Sequence, residues 1–301
     1  MINSTNVRNE TFLNDLERIQ ARMTRAQGQL SSGLRIREAS DAPDQIGALL
    51  QSRAGYAAAA QASSNLSAAR EEIHTSEVAL QNGIQLLERL RVLSAQAQTG
   101  TVTSESRQIL AEEAKGIMQQ IVDIANSTFN GRHLFAGNAD QVPPFQLDPV
   151  QPDGVAPYAG SAATREVLNT AGHPIALHRS GSEIFQSADP AKNVFASANA
   201  LRLAISSGDA SALAAADSNI SGALTHLNTT LAWYGQAESS VSFSFDQAQT
   251  HLLGWQTRIA GIEEADLAQA ILELETAQTS QEAALQAKAQ EDRRTIFDFI
   301  R

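Results

Sequence analysis

The chain has no cysteine. Disulfide staples and thiolate chemistry are therefore excluded, and the fold must rest on packing. Aromatic residues are scarce as well, at 5% of 301 residues against 43% hydrophobic overall, so Ala, Leu and Ile carry much of the apolar content. Side chains of that kind suit helix-on-helix packing better than a bulky mixed core. Positive charge is also short: 22 Lys and Arg face 33 Asp and Glu, a formal net charge of −11. The densest basic spots, Arg89/Arg91 and Arg293/Arg294, each have acidic neighbours. No basic patch suited to phosphates results, and nucleic acid is not an expected partner. No stretch approaches the roughly 18 apolar residues of a membrane span. The first twenty residues are polar and of mixed charge, without the apolar core of a cleaved secretory signal. Seven of the eight prolines lie between Pro143 and Pro190, with Pro43 the exception, so most of the chain is free to form uninterrupted helix.

What is present is a repeated seven-residue pattern. Phe12, Leu16, Ile19, Met23, Ala26 and Leu30 are spaced 4, 3, 4, 3, 4, the narrow seam of a coiled coil. From about Pro43 to Gln98 a long helix is predicted, with Leu66, Ile73, Leu80, Leu87 and Ser94 at steps of seven and Ala69, Ser76, Gly83, Leu90 and Ala97 beside them. TGTVTS (99–104) ends it, and Thr103 or Ser104 is placed to cap the next helix, whose seam runs Leu110, Ala114, Ile117, Ile121, Ile124, Thr128. NSTFNG (126–131) has turn chemistry.

The Pro- and Gly-rich stretch that follows lacks helical periodicity. REVLN and PIALH read as short strands flanking the turn-like TAGH, so a small β-rich insertion is expected, too small to bury much core alone. Helix resumes near Asn193, with seams at Ile220, Leu224, Leu227, Leu231, Tyr234 and, after Gly235, at Phe245, Ala248, Leu252, Trp255, Ile259, Ile262. The last seam runs Leu267, Ile271, Leu274, Gln278, Gln281, Leu285, Lys288. Its polar members favour register and partner choice over stability.

The expected fold is therefore mainly α: a long coiled-coil and helical bundle from both chain ends, with a small β-rich insertion in the middle. The expected division is 1–40 plus 262–301 as a terminal coiled-coil assembly domain, 41–140 plus 190–261 as a helical bundle, and 141–189 as an outer domain.

Chemistry-bearing motifs are missing. The six histidines form no HExxH or other tight ligand spacing, and His173 with His178 is their closest pair. There is no GxGxxG, P-loop or GxSxG. Carboxylate pairs in EEIH (71–74) and AEEA (111–114) read as solvated helix faces. No catalytic residue, cofactor or metal is expected. The seams fit an intramolecular bundle or an intermolecular assembly, and a binding module built on the insertion remains a further possibility.

The interruption between the first two helices, LSSGLRIREASDAP (30–43), resembles the N-terminal signature of the bacterial flagellin superfamily. AALQAKAQEDRRTIFDF (283–299) is similar to the matching C-terminal helix, and the layout of helical ends around a central insertion agrees over about 1–140 and 190–301. Within the superfamily, Ser40-Asp41-Ala42-Pro43, GRHLFAG (131–137), Tyr158 to Gly160, SGSEIF (180–185) and Phe297-Asp298-Phe299 resemble the branch that joins hook to filament. The terminal Arg301 resembles the filament subunits instead.

The resemblance implies a structural subunit, exported through the flagellar type III apparatus without a cleaved signal and located outside the cell at the hook–filament junction. The alternative is the filament subunit itself. It implies assembly with further copies of the chain, contact with hook-associated protein 1 and flagellin, and an export chaperone over the C-terminal helix. Phe12, Leu16, Ile19, Met23, Leu30, Leu267, Ile271, Leu274, Leu285 and Phe297 would form the assembly interface. Gly33, Arg35, Arg37, Ser40, Asp41 and Pro43 would form the turn between domains, with Ser40 or Asp41 capping the second helix, Pro43 in its first turn and Asp44 favouring its dipole.

Overall fold

Proline-free runs of Ala, Leu and charged helix formers become long helices. The computed structural model describes residues 2–99 and 102–299, with side chains only from 7 to 290. Helices α1 (Ile2–Ser32), α2 (Ile46–Ala97), α3 (Ser104–Ala125), α4 (Gly181–Ile184), α5 (Val194–Ser207), α6 (Ala210–Glu263) and α7 (Leu267–Phe299) account for most of that chain. Strands β1 (Thr128–Phe129) and β2 (Arg132–His133) form one antiparallel pair, and β3 (Glu166–Leu168) and β4 (Pro174–Ala176) another. Two compact units result, Met1–Ala58 with His251–Arg301, and Ala59–Thr250. Among the described residues no helix is long and apolar enough to cross a membrane.

The larger unit is built on the α2 seam. Leu66, Ile73, Leu80 and Leu87 are all fully buried, and so are Leu90 and Leu93 beside them. Each such side chain contributes about 1.5–3 kcal/mol relative to exposure. From α3, Ala114, Ile117 and Ile121 join the same cluster, and from α6 come Ile220, Leu224, Leu227 and Tyr234. Helix α3 starts where expected, the Thr103 hydroxyl accepting from the Ser106 N–H at 3.1 Å. Its end turns into the β1–β2 hairpin at Asn130-Gly131, both with positive φ (50° and 76°), the conformation a two-residue type I′ turn needs.

The sequence pattern did not show where α5 stops. Gly208 takes φ 73° as its left-handed cap, and Asp209 then caps α6, its Oδ1 accepting from Ser211 N–H. Gly235, which separates the two seam runs, lies inside α6. One glycine costs a helix only about 1 kcal/mol, which flanking seam burial outweighs.

The β character of the insertion is one short hairpin, with Val167 opposite Ile175, and a single bridge between Leu147 and Val155; apart from α4 the rest of the stretch is irregular. Such strands bury little, and the stretch is held instead by rings. Phe135, Phe145, Phe185 and Phe195 are fully buried, with neighbouring ring centroids 5.0–6.0 Å apart, in the same core cluster as the helices. Three stretches singled out in the sequence meet here: the Phe135 carbonyl accepts from the Tyr158 hydroxyl at 2.7 Å and from the Gly181 N–H at 2.9 Å.

Candidate assembly surface

In the smaller unit, α1 and α7 pair antiparallel, as the Arg22–Glu273 bond (2.6 Å) near one end and the Lys288–Asn9 bond (2.7 Å) near the other require. Phe12, Leu16, Ile19, Met23 and Leu30 are all half-buried, and Ala26 between them is buried. These residues form the face predicted for α1.

On α7 the partner face is shifted from the expected one. Ala270 and Ala277 are buried, and Leu274, Gln281, Ala284 and Lys288 half-buried, spaced 4, 3, 4, 3, 4. Alanines let the helices approach closely while α1 supplies the bulk. The predicted row shares only Leu274, Gln281 and Lys288 with this face. Leu267 (47%), Ile271 (47%) and Leu285 (50%) are exposed, as is Gln278. Helix α7 therefore carries two seams on either side of one shared row, one filled by α1 and one open. Phe297 lies in α7, but its side chain, like all of Arg301, is outside the described residues.

The turn after α1 is tied to the start of α7. Gly33, at φ 70°, ends the helix. The Gly33 carbonyl then accepts from Ala265 N–H, and Arg35 N–H donates to the Glu263 carbonyl. The Arg35 guanidinium reaches Gln45 Oε1 and the Ile262 carbonyl, both at 2.6 Å. The Arg37 guanidinium lies against α1 where Gly28 leaves room, 2.7 Å from where a Cβ would sit. Neither arginine needs an acidic group of its own chain for these positions.

Ser40 and Asp41 do not cap α2. That helix begins only at Ile46, after a turn containing the exposed Pro43 and Asp44. The Asp41 carboxylate reaches backwards and accepts from the Glu38 and Arg37 N–H groups, each at 2.9 Å. These bonds hold it below its ordinary pKa. A cap must precede the first helical turn directly, and here the Pro43–Gln45 turn intervenes.

Two polar sites in the larger unit were not visible in the sequence. Glu72, read as part of a solvated face, is buried and accepts at one carboxylate oxygen from Arg165 and from His178 Nε2. His173, meanwhile, is exposed, so the two insertion histidines make no ligand pair. His74 and Glu77 on α2 and Glu238 on α6 place their polar atoms within 4.8 Å of one another. Burial, then the facing Glu238 carboxylate, pushes the Glu77 pKa up. A sequence separation of more than 160 residues hides such a cluster from any local motif.

Residues 3–140 match the bacterial flagellin N-terminal helical region. The chain resembles the flagellin superfamily over that span. It is 27% identical over 190 residues to flagellar hook-associated protein 3 of Salmonella typhimurium, covering 61% of this chain and 56% of the relative. A flagellin of Clostridium tyrobutyricum is 34% identical over a shorter 116 residues, 38% of this chain and 31% of that one. The chain thus spans little more than half the length of the hook-associated relative it matches. The fold agrees with a solved hook-associated protein 3 from Legionella pneumophila, at a TM-score of 0.60 and 15% identity over 72% of this chain and 99% of that one.

Proposed function

We propose that this protein is a structural subunit of the bacterial flagellum, joining the hook-associated layer to the filament and acting without catalysis. The observation that carries the reading is the open seam on α7. A helix already paired with α1 retains Leu267, Ile271 and Leu285 at coiled-coil spacing with about half of each side chain uncovered. Exposed apolar rows of this kind mark docking surfaces, and a second copy of the chain is the partner the reading requires.

Residues 1–40 and 262–301 serve as the assembly domain, with the 33–43 turn as its joint. The export route, the location outside the cell, the chaperone on α7 and contact with hook-associated protein 1 and flagellin follow from the resemblance. Ordering the end helices costs about 1–2 kcal/mol per residue, which one half-exposed seam offsets poorly and a polymer lattice offsets better.

The hook-associated relative matches across more of this chain than the flagellin does, which favours the junction over the filament. The deciding experiment is a deletion strain examined by electron microscopy. Bare hooks with flagellin shed into the medium are expected. Hooks that keep their junction layer and lack only the filament would identify the filament subunit instead.

A further inference from the structure

We infer that His74, Glu77 and Glu238 form a site for one divalent transition metal of the zinc class, clipping α2 to α6 within the larger unit. The ligand set is mixed: an imidazole and a carboxylate three residues apart on one helix face, and a second carboxylate from a distant helix. Their donor atoms lie within 4.8 Å of one another. Tetrahedral coordination at about 2.1 Å sets donors about 3.4 Å apart, so a rotamer adjustment of roughly 1 Å closes the site. Surface side chains make such adjustments readily, since His74 is exposed and the two glutamates are half-buried.

Two observations argue against an ordinary solvated acidic face. Among the described residues no Lys or Arg forms an ion pair with Glu77 or Glu238, although Arg70 on the same helix and Arg165, which pairs with Glu72, both find acidic partners. In addition, Glu77 rests against bare backbone. Its Oε1 lies 3.6 Å from where a Cβ on Gly235 would stand, one turn before Glu238. The carboxylate is thus turned toward α6 and its like-charged neighbour. A cation shared between them resolves the repulsion, and the imidazole selects a metal that accepts nitrogen over Mg2+ or Ca2+. The solvent side leaves the fourth position to water.

The test is Zn2+ titration of the full-length protein by calorimetry, followed by thermal melts with Zn2+ or with EDTA. About one Zn2+ per chain is expected, with a rise in the melting temperature of the larger unit. His74→Ala or Glu238→Gln should weaken binding at least tenfold and remove the rise, with helix content by circular dichroism unchanged. His251→Ala, which removes an exposed histidine outside the cluster, should change neither. Equal Zn2+ affinity in wild type and His74→Ala would overturn the site, and so would a response to Ca2+ that His74→Ala leaves intact.

Discussion

The bundle and the terminal pair use the same seven-residue spacing to opposite ends. In the bundle, Leu66, Ile73, Leu80 and Leu87 at steps of seven are each fully buried, in one core cluster with side chains of α3, α5 and α6 and with the phenylalanine rings. In the terminal pair Phe12, Leu16, Ile19, Met23 and Leu30 are only half-buried, and α7 meets them with alanines. One pattern completes a core and the other leaves part of its apolar surface uncovered. Spacing alone reports a seam. Whether the seam is filled depends on how many elements reach it.

The sharpest way to break that contrast is to truncate one residue of each seam. Leu80→Ala removes a fully buried side chain and should cost about 2–5 kcal/mol of bundle stability, read by urea unfolding. Leu285→Ala removes a half-exposed one and should move the monomer by no more than about 0.5 kcal/mol. If the two cost the same, the distinction between closed and open seams is wrong.

Next in size is the ionic knot inside the bundle unit. Glu72→Ala leaves Arg165 and the buried His178 facing an absent carboxylate. Removing one member of a buried pair typically costs on the order of 3–5 kcal/mol, and Arg165's partial exposure puts this case toward the lower end. Glu72→Gln, which keeps an acceptor and loses the charge, should cost less. The third effect is absent from the monomer. Ile271→Glu with Leu285→Glu should leave melting and circular dichroism nearly unchanged and abolish self-assembly, read by light scattering and by motility. Leu16→Glu, which puts a charge in the seam filled by α7, should also abolish self-assembly and leave the bundle folded. Double-glutamate variants that still assemble would remove the open seam from the interface.

Much of the helical frame was legible because it is periodic. The α1, α2, α3 and α6 seams, the Thr103 cap and the Asn193 restart all follow from residues at fixed local offsets. The face that α7 turns to α1 differs from its bulky row for a physical reason. Leu267, Ile271, Leu274 and Leu285 are bulky apolar residues at seven-residue spacing, and pattern reading assigns the seam to bulk. The helix instead turns its alanines toward α1, where close approach lets the partner's larger side chains fill the gap. Glu72 was misread because its cover, Arg165 and His178, comes from 93 and 106 residues away. The α2 start was set too early because Asp41 looks the same whether it caps forward or closes a turn behind it.

That last ambiguity supplies the smallest and most local prediction. Asp41 accepts two N–H bonds from the preceding turn, and these lower its pKa in the folded protein. A carboxylate depressed by folding contributes stability that is present above its unfolded value, near pH 3.9, and is lost as pH falls through the lower folded value. The turn at 37–41 should therefore hold through neutral and mildly acidic pH and loosen only below the ordinary aspartate range. The side chain is fully exposed, so the effect should be confined to the joint, with the bundle's unfolding unaffected. A two-dimensional NMR titration following the Arg37 and Glu38 amides reads it directly. Both should shift together at a midpoint below that of a free aspartate, and the shift should vanish in Asp41→Ala. If Asp41 instead capped α2, the amides to move would be those at the start of that helix.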